Sequence, residues 1–166
     1  MIWGSEIFLA FYDQPELVKS FLALLTETYR RFMRRWDAEF PAREGRFCAH
    51  WGFGYAGRIL LRDDSAMNLS PEMYREFALP FDRQLLGEFG GGVVHFCGRG
   101  DHYIADLATV PDLTGIQLSQ PEYNDMETIY RNTVDRGIAL LALPLESAVK
   151  PALAAGRDLH GLVHCY

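Results

Sequence analysis

His95 and Cys97 stand two residues apart in the apolar run Val93-Val94-His95-Phe96-Cys97, directly before the turn Gly98-Arg99-Gly100. Alternate residues of a strand face one side, so the imidazole and the thiol are expected to project into one space. Both are donors for a borderline-soft ion such as zinc rather than calcium or magnesium. A zinc site that keeps one position open takes three protein ligands. The best third candidate is Cys165, which ends the last apolar run, while its neighbour His164 is expected to face the other way. The competing reading is a buried, inert His-x-Cys pair, and the residues alone leave both open.

Asp63 and Asp64 follow the apolar run Arg58-Ile59-Leu60-Leu61-Arg62. At a strand end, such carboxylates serve as acid, base or hydrogen-bond anchor, or simply form a solvated turn. Asp101-His102 suits the cap of a following helix better than direct chemistry. Cys48-Ala49-His50 repeats the donor pair but precedes any convincing strand, so it reads as an ordinary buried cysteine. Met67, Met73 and Met126 read as core filler. The basic run Arg30-Arg31-Phe32-Met33-Arg34-Arg35 reads as a solvated helix face.

The elements that must position these groups alternate along the chain. Asp13-Gln14-Pro15-Glu16 opens a helix with a capping carboxylate, an early proline and an acid in the first turn. Leu17, Phe21, Leu24, Leu25 and Phe32 keep helical spacing to about Phe40, and their stripe needs a core. A strand is expected over 58–62, and a helix from Ser70-Pro71-Glu72 to the triple glycine at 90–92. Strands at 93–97, 114–118, 138–143 and in "LHGLVHC" then alternate with helices near 103–108, 123–136 and 147–155. Five short apolar strands joined by helices are the signature of a parallel β/α architecture. In such folds the ligands gather at the carboxyl ends of the strands, where His95-Phe96-Cys97 would sit.

The chain of 166 residues is 49% hydrophobic, enough for one buried core, and a single domain over 1–166 is the expectation. A net charge of −6 without a dense basic patch argues against a nucleic-acid partner. No apolar run approaches the roughly 18 residues that cross a bilayer, and the first residues lack the pattern of a secretory signal. Three cysteines fit no disulfide framework, so a reducing, cytoplasmic setting is expected.

The segment "LSPEMYREFALPFDRQLL" followed by "GGGVVHFCG" resembles the uroporphyrinogen decarboxylase superfamily, in which a Ser-Pro-Glu helix start and a His-x-Cys-Gly strand follow in this order. The likeness extends from "YDQPELVKSFLALLTE" to the final strand. His-x-Cys with a distant cysteine is similar to the zinc site of the methylcobalamin:coenzyme M methyltransferases of that superfamily, and not to the decarboxylases proper. The resemblance implies His95, Cys97 and Cys165 as zinc ligands, and Asp63 or Asp64 as the group that orients substrate or ligand. It implies an enzyme that transfers a methyl group from a corrinoid, on a corrinoid protein or as free methylcobalamin, to a small-molecule thiol. The alternatives are a metal-free carboxy-lyase of porphyrin biosynthesis and a non-catalytic barrel fragment.

The fold implied is a (β/α)8 TIM barrel of about 250 residues, of which this chain would supply the C-terminal five β/α units. An open sheet leaves two edges and an uncovered face. A longer gene product, a partner chain or a homo-oligomer would complete it.

Overall fold

The structure, a computed structural model, describes residues 3–41, 47–50 and 52–166, with the side chains of Cys48 and His50 excepted. The reading of Cys48 as a buried thiol therefore lies outside the described residues. The chain forms two compact units, Met1–Glu44 and Gly45–Tyr166. Among the described residues no helix is long and apolar enough to cross a membrane.

The first unit holds two helices, α1 (Ile7–Asp13) and α2 (Pro15–Glu39). The long helix expected from the apolar spacing is present, but its start differs. Asp13 closes α1 instead of capping α2; Gln14 is the N-cap and gives no side-chain hydrogen bond. Pro15 still occupies the first turn, where its missing N–H costs nothing. Phe32, Trp36 and Phe40 stack in series along α2, with ring centroids 6.1 and 4.7 Å apart, and all three are exposed.

The second unit is built on a five-stranded parallel sheet in the order β3 (Ile59–Arg62), β4 (Gly92–Phe96), β5 (Leu113–Leu118), β6 (Ala139–Leu143), β7 (Val163–Cys165). Each strand pairs with the next in sequence, so every crossover steps the same way. With the right-handed connection such units adopt, the helices collect on one face. On the helix side Val94, Phe96, Ile116, Leu118 and Leu140 are almost fully buried; on the other face Val93 and His95 are buried as well, and Arg62 and His164 are exposed.

A hairpin of β1 (Phe47–His50) and β2 (Phe53–Ala56) precedes the sheet, with Gly52 in the left-handed region at its turn. The sequence reading had no strand here. Tyr55 of β2 packs with Val93 and Leu141, against Leu60 and Ala139, so the hairpin covers the amino-terminal half of the face that lacks helices.

The helices are α3 (Pro71–Met73), α4 (Leu79–Phe89), α5 (Ile104–Leu107), α6 (Met126–Asn132) and α7 (Lys150–Ala154). Ser70 caps α3 as expected, its hydroxyl accepting from the Met73 N–H. A π-helical turn, Tyr74–Ala78, joins α3 to α4, and another, Leu145–Val149, leads into α7. Each lies just before a proline, Pro80 and Pro151 respectively. Proline has no N–H for the i−4 carbonyl and clashes with it, so the turn before it widens. Gly90 ends α4 in the left-handed conformation. Met67 is exposed, and neither Met73 nor Met126 is buried, so none of the three fills the core.

Candidate metal centre

The parallel register aligns residues from neighbouring strands on one face. Leu60, Val93, Gly115 and Ala139 form a first row, and Arg62, His95, Gln117 and Leu141 a second. Asp64, Cys97 and Ser119 come two residues further along their strands, just past the carboxyl ends. The first row is apolar and lies under the hairpin, whereas polarity rises toward the carboxyl end. There the Cys97 thiol stands 3.4 Å from Asp64 Oδ1 and 3.8 Å from Ser119 Oγ.

Three donor atoms converge at this point. His95 Nε2 is 3.0 Å from Asp64 Oδ1 and 3.5 Å from Cys97 Sγ. With the 3.4 Å between sulfur and carboxylate, these make a triangle of one nitrogen, one sulfur and one oxygen. A tetrahedral ion with bonds of about 2.0–2.3 Å separates its ligands by about 3.3–3.8 Å; the 3.4 and 3.5 Å edges fall in that range and the 3.0 Å edge lies just below it. In a Cys-His-Asp relay for nucleophilic catalysis, the acid holds one ring nitrogen and the thiol the other. Here acid and thiol meet the same nitrogen, which is the arrangement of a shared ligand point and not of a relay.

Burial, opposed by the Asp64 carboxylate, lowers the His95 pKa, so the ring is neutral near pH 7 and has a lone pair to give. His95 is 1% exposed and Asp64 44%. The cluster therefore reaches from the packed sheet to its open rim.

The loop after Cys97 is tied to the next β/α unit. Gly98 N–H donates to Gln120 Oε1 at 2.6 Å, and the Gly100 and Asp101 N–H groups both donate to Asn124 Oδ1. The Asn124 amide donates back to the Gly98 and Gln120 carbonyls. Asp101 does not cap α5, whose N-cap is Tyr103. Its carboxylate instead accepts from the Asp125 N–H and from Arg99 Nε, while His102 Nε2 faces the Leu69 carbonyl at 3.0 Å.

Cys165 stands apart from the triangle. His164 meets Phe53 of the hairpin edge-on at 4.8 Å, so it faces the hairpin side of the sheet, the side of His95 and Cys97. Cys165, the next residue of β7, is turned to the opposite side. This follows from the register that pairs Val163 with Leu140 on the helix side of the sheet, while β6 itself slips against β7 between Leu140 and Leu143 around Ala142, whose φ is +58°. Asp64 supplies the third donor atom instead.

Asp63 faces away from Asp64, toward a buried acidic group that sequence reasoning missed. Asp82 of α4 is 6% exposed, accepts a 2.9 Å hydrogen bond from the Tyr74 hydroxyl, and lies close enough to Asp63 for their charges to interact. Desolvation, followed by the Asp82 charge, raises the Asp63 pKa well above the usual range, and desolvation raises Asp82 to about 6. Two carboxyls in contact in an enclosed place hold a proton between them. Tyr103, fully buried and stacked on Tyr74 at 4.4 Å, completes the wall. The available signal was position: Asp82 falls on the apolar stripe of Leu79, Leu86 and Phe89, where a carboxylate is out of place.

Comparison with protein families, curated proteins and solved structures returns no match. The metal reading therefore rests on the geometry, and the reading as a methyltransferase on the resemblance of the sequence.

Proposed function

We propose that Asp64, His95 and Cys97 hold a zinc ion, and that the chain serves in the transfer of a methyl group from a corrinoid to a small-molecule thiol. The observation that carries the metal reading is the convergence of one nitrogen, one sulfur and one oxygen atom within 4.8 Å of one another at the carboxyl ends of parallel strands. When bound, zinc supplies the positive charge that favours the thiolate form of a thiol at its open position.

The chain's own groups prepare that position. His95 offers a neutral nitrogen, and Gln117 lies level with it on β5. The Cys97 thiol points at Asp64 Oδ1 and His95 Nε2, so its proton has acceptors at 3.4 and 3.5 Å. Gln120 and Asn124 hold the loop beside it.

The consecutive strand order supports reading the sheet as five successive units of a (β/α)8 barrel, with helices outside and the site at its carboxyl rim. Among the described residues β3 and β7 each have one neighbour in the sheet. Those edges favour completion by further strands, from the same gene product, a partner chain or a second copy. A barrel completed without metal would fit the carboxy-lyase alternative.

Elemental analysis of purified protein tests the first step, and about one zinc per folded chain is expected. Methylcobalamin demethylation in the presence of thiols, with size-exclusion chromatography of the same sample, tests the second. Folded protein that takes up no zinc overturns the metal reading.

A further inference from the structure

We propose that Ser119 is a positioning residue for the metal centre, its hydroxyl donating a hydrogen bond to the Cys97 sulfur so that Cys97 stays a ligand and leaves the methyl group to the substrate thiol. This rests on the reading of Asp64, His95 and Cys97 as metal ligands with a thiol as methyl acceptor, and adds a side chain at the end of β5 that the sequence reading did not single out.

Two sulfurs meet in such a reaction, that of Cys97 and that of the substrate, and both are thiolates beside one ion. Only the substrate sulfur should take the methyl group, so the site must make the two unequal. The better stabilised a thiolate is, the weaker a nucleophile it becomes. Hydrogen bonds to the sulfur supply such stabilisation at metal–thiolate sites.

Ser119 Oγ stands 3.8 Å from the Cys97 sulfur, and the sheet sets this approach. Phe96 pairs with Leu118, and the Ser119 N–H donates to the Phe96 carbonyl at 3.2 Å, which carries the β4–β5 pairing one residue further and leaves Ser119 level with Cys97. The other groups near the sulfur are committed. Asp64 Oδ1, at 3.4 Å, only accepts when ionised, and His95 Nε2, at 3.5 Å, has its lone pair turned to the ligand point. In the turn after Cys97 the Gly98 and Gly100 N–H groups donate to Gln120 Oε1 and Asn124 Oδ1. Among the described residues no other hydrogen bond engages the Ser119 hydroxyl, so it can turn its proton to the sulfur. With the thiol protonated the bond runs from sulfur to oxygen; once that proton is lost, the oxygen donates.

The test treats zinc-loaded protein with methyl iodide and follows methylation of Cys97 by peptide mass spectrometry in wild type, Ser119→Ala and Ser119→Thr. The sulfur lone pair forms the S–C bond and the C–I pair leaves as iodide, so the rate reads the nucleophilicity of the thiolate. Cys165, on the far face of β7, is the internal reference. Ser119 is exposed, so alanine there leaves the core intact. Ser119→Ala is expected to keep its zinc and to methylate at Cys97 about fivefold faster or more, with the sulfur-to-metal charge-transfer band of its cobalt(II) form moved to longer wavelength. Ser119→Thr, which retains the hydroxyl, is expected to return both to the wild-type values. Ser119→Ala that holds zinc with methylation rate and cobalt band unchanged overturns this proposal alone. Ser119→Ala that loses zinc overturns it too, because the hydroxyl would then hold the site together and not tune the sulfur. Wild type that takes up no zinc overturns the site reading with it.

Discussion

Asp64 and Cys97 are 33 residues apart in the chain, yet the carboxylate oxygen and the thiol sulfur stand 3.4 Å apart. The parallel pairing of β3 with β4 produces this contact, because the register that aligns Arg62 with His95 carries Asp64 and Cys97 up together. Removing either donor should therefore abolish the site. Cys97→Ser and Asp64→Asn are expected to lose stoichiometric zinc in elemental analysis, while Cys165→Ser, on the far face of β7, keeps it. Loss of zinc in Cys165→Ser would mean that the strand turns to present its thiol when metal binds.

The approach of β3 to β4 that creates this register depends on Gly92. A Cβ placed there would come within 1.9 Å of the Ile59 carbonyl oxygen and 2.9 Å of its carbon. Both are backbone atoms of the paired strand, so no side chain can move aside. Gly92→Ala is expected to cost about 3 kcal/mol, seen as a lower urea midpoint with unchanged slope. An unaltered midpoint would show that the two strands can separate without loss.

How much of this was legible in the sequence follows from which patterns are local. The alternation of strand and helix from residue 58 onward, and the placing of His95 and Cys97 on one face, follow from periods of two and 3.6 residues. The acidic pair was legible as chemistry, but which of the two acids meets the histidine depends on register between strands, a non-local property. Cys165 was expected in the site because it ends the last strand at the same rim, but which face of that strand it takes depends on the register of β7 against β6, which is non-local. The hairpin at 47–56 was missed because the aromatics of Trp51-Gly52-Phe53-Gly54-Tyr55 alternate with glycines, which are depleted in strands and read as a loop. Asp82 was missed because a helix face is read by its majority of apolar residues.

The bulge at Ala142 gives a stability prediction of its own. A non-glycine residue in the left-handed region costs about 1–2 kcal/mol, and glycine there gives back about 0.5–1 kcal/mol in chain entropy. Ala142→Gly is expected to stabilise the protein by about 0.5–1 kcal/mol, measured by urea unfolding, and to leave zinc content unchanged. Destabilisation would show that the Ala142 methyl contributes more by packing than the conformation costs.

The paired acids behind the site make stability depend on pH in a direction opposite to most carboxylates. Burial raises both Asp63 and Asp82, the latter from 3.8 to about 6; the Asp82 charge adds to the rise at Asp63, while Tyr74 and Asp63 oppose the rise at Asp82. Asp64 adds to the repulsion on Asp63, and burial, followed by the charges of both acids, raises Tyr103 and Tyr74, which stay protonated throughout. A raised carboxyl pKa means that the folded state holds protons the unfolded state has released. The stabilising contribution is complete below about pH 4 and is lost as pH rises through about 6 at Asp82. The slope is about 1.4 kcal/mol per pH unit for each proton involved. Many other groups titrate over the same range, so the difference between wild type and Asp82→Asn isolates the pair. Urea midpoints between pH 4 and pH 7.5 are expected to show wild type losing stability relative to Asp82→Asn as pH rises. Parallel curves would mean that both acids are already ionised in the folded protein, and that the proton between them is absent.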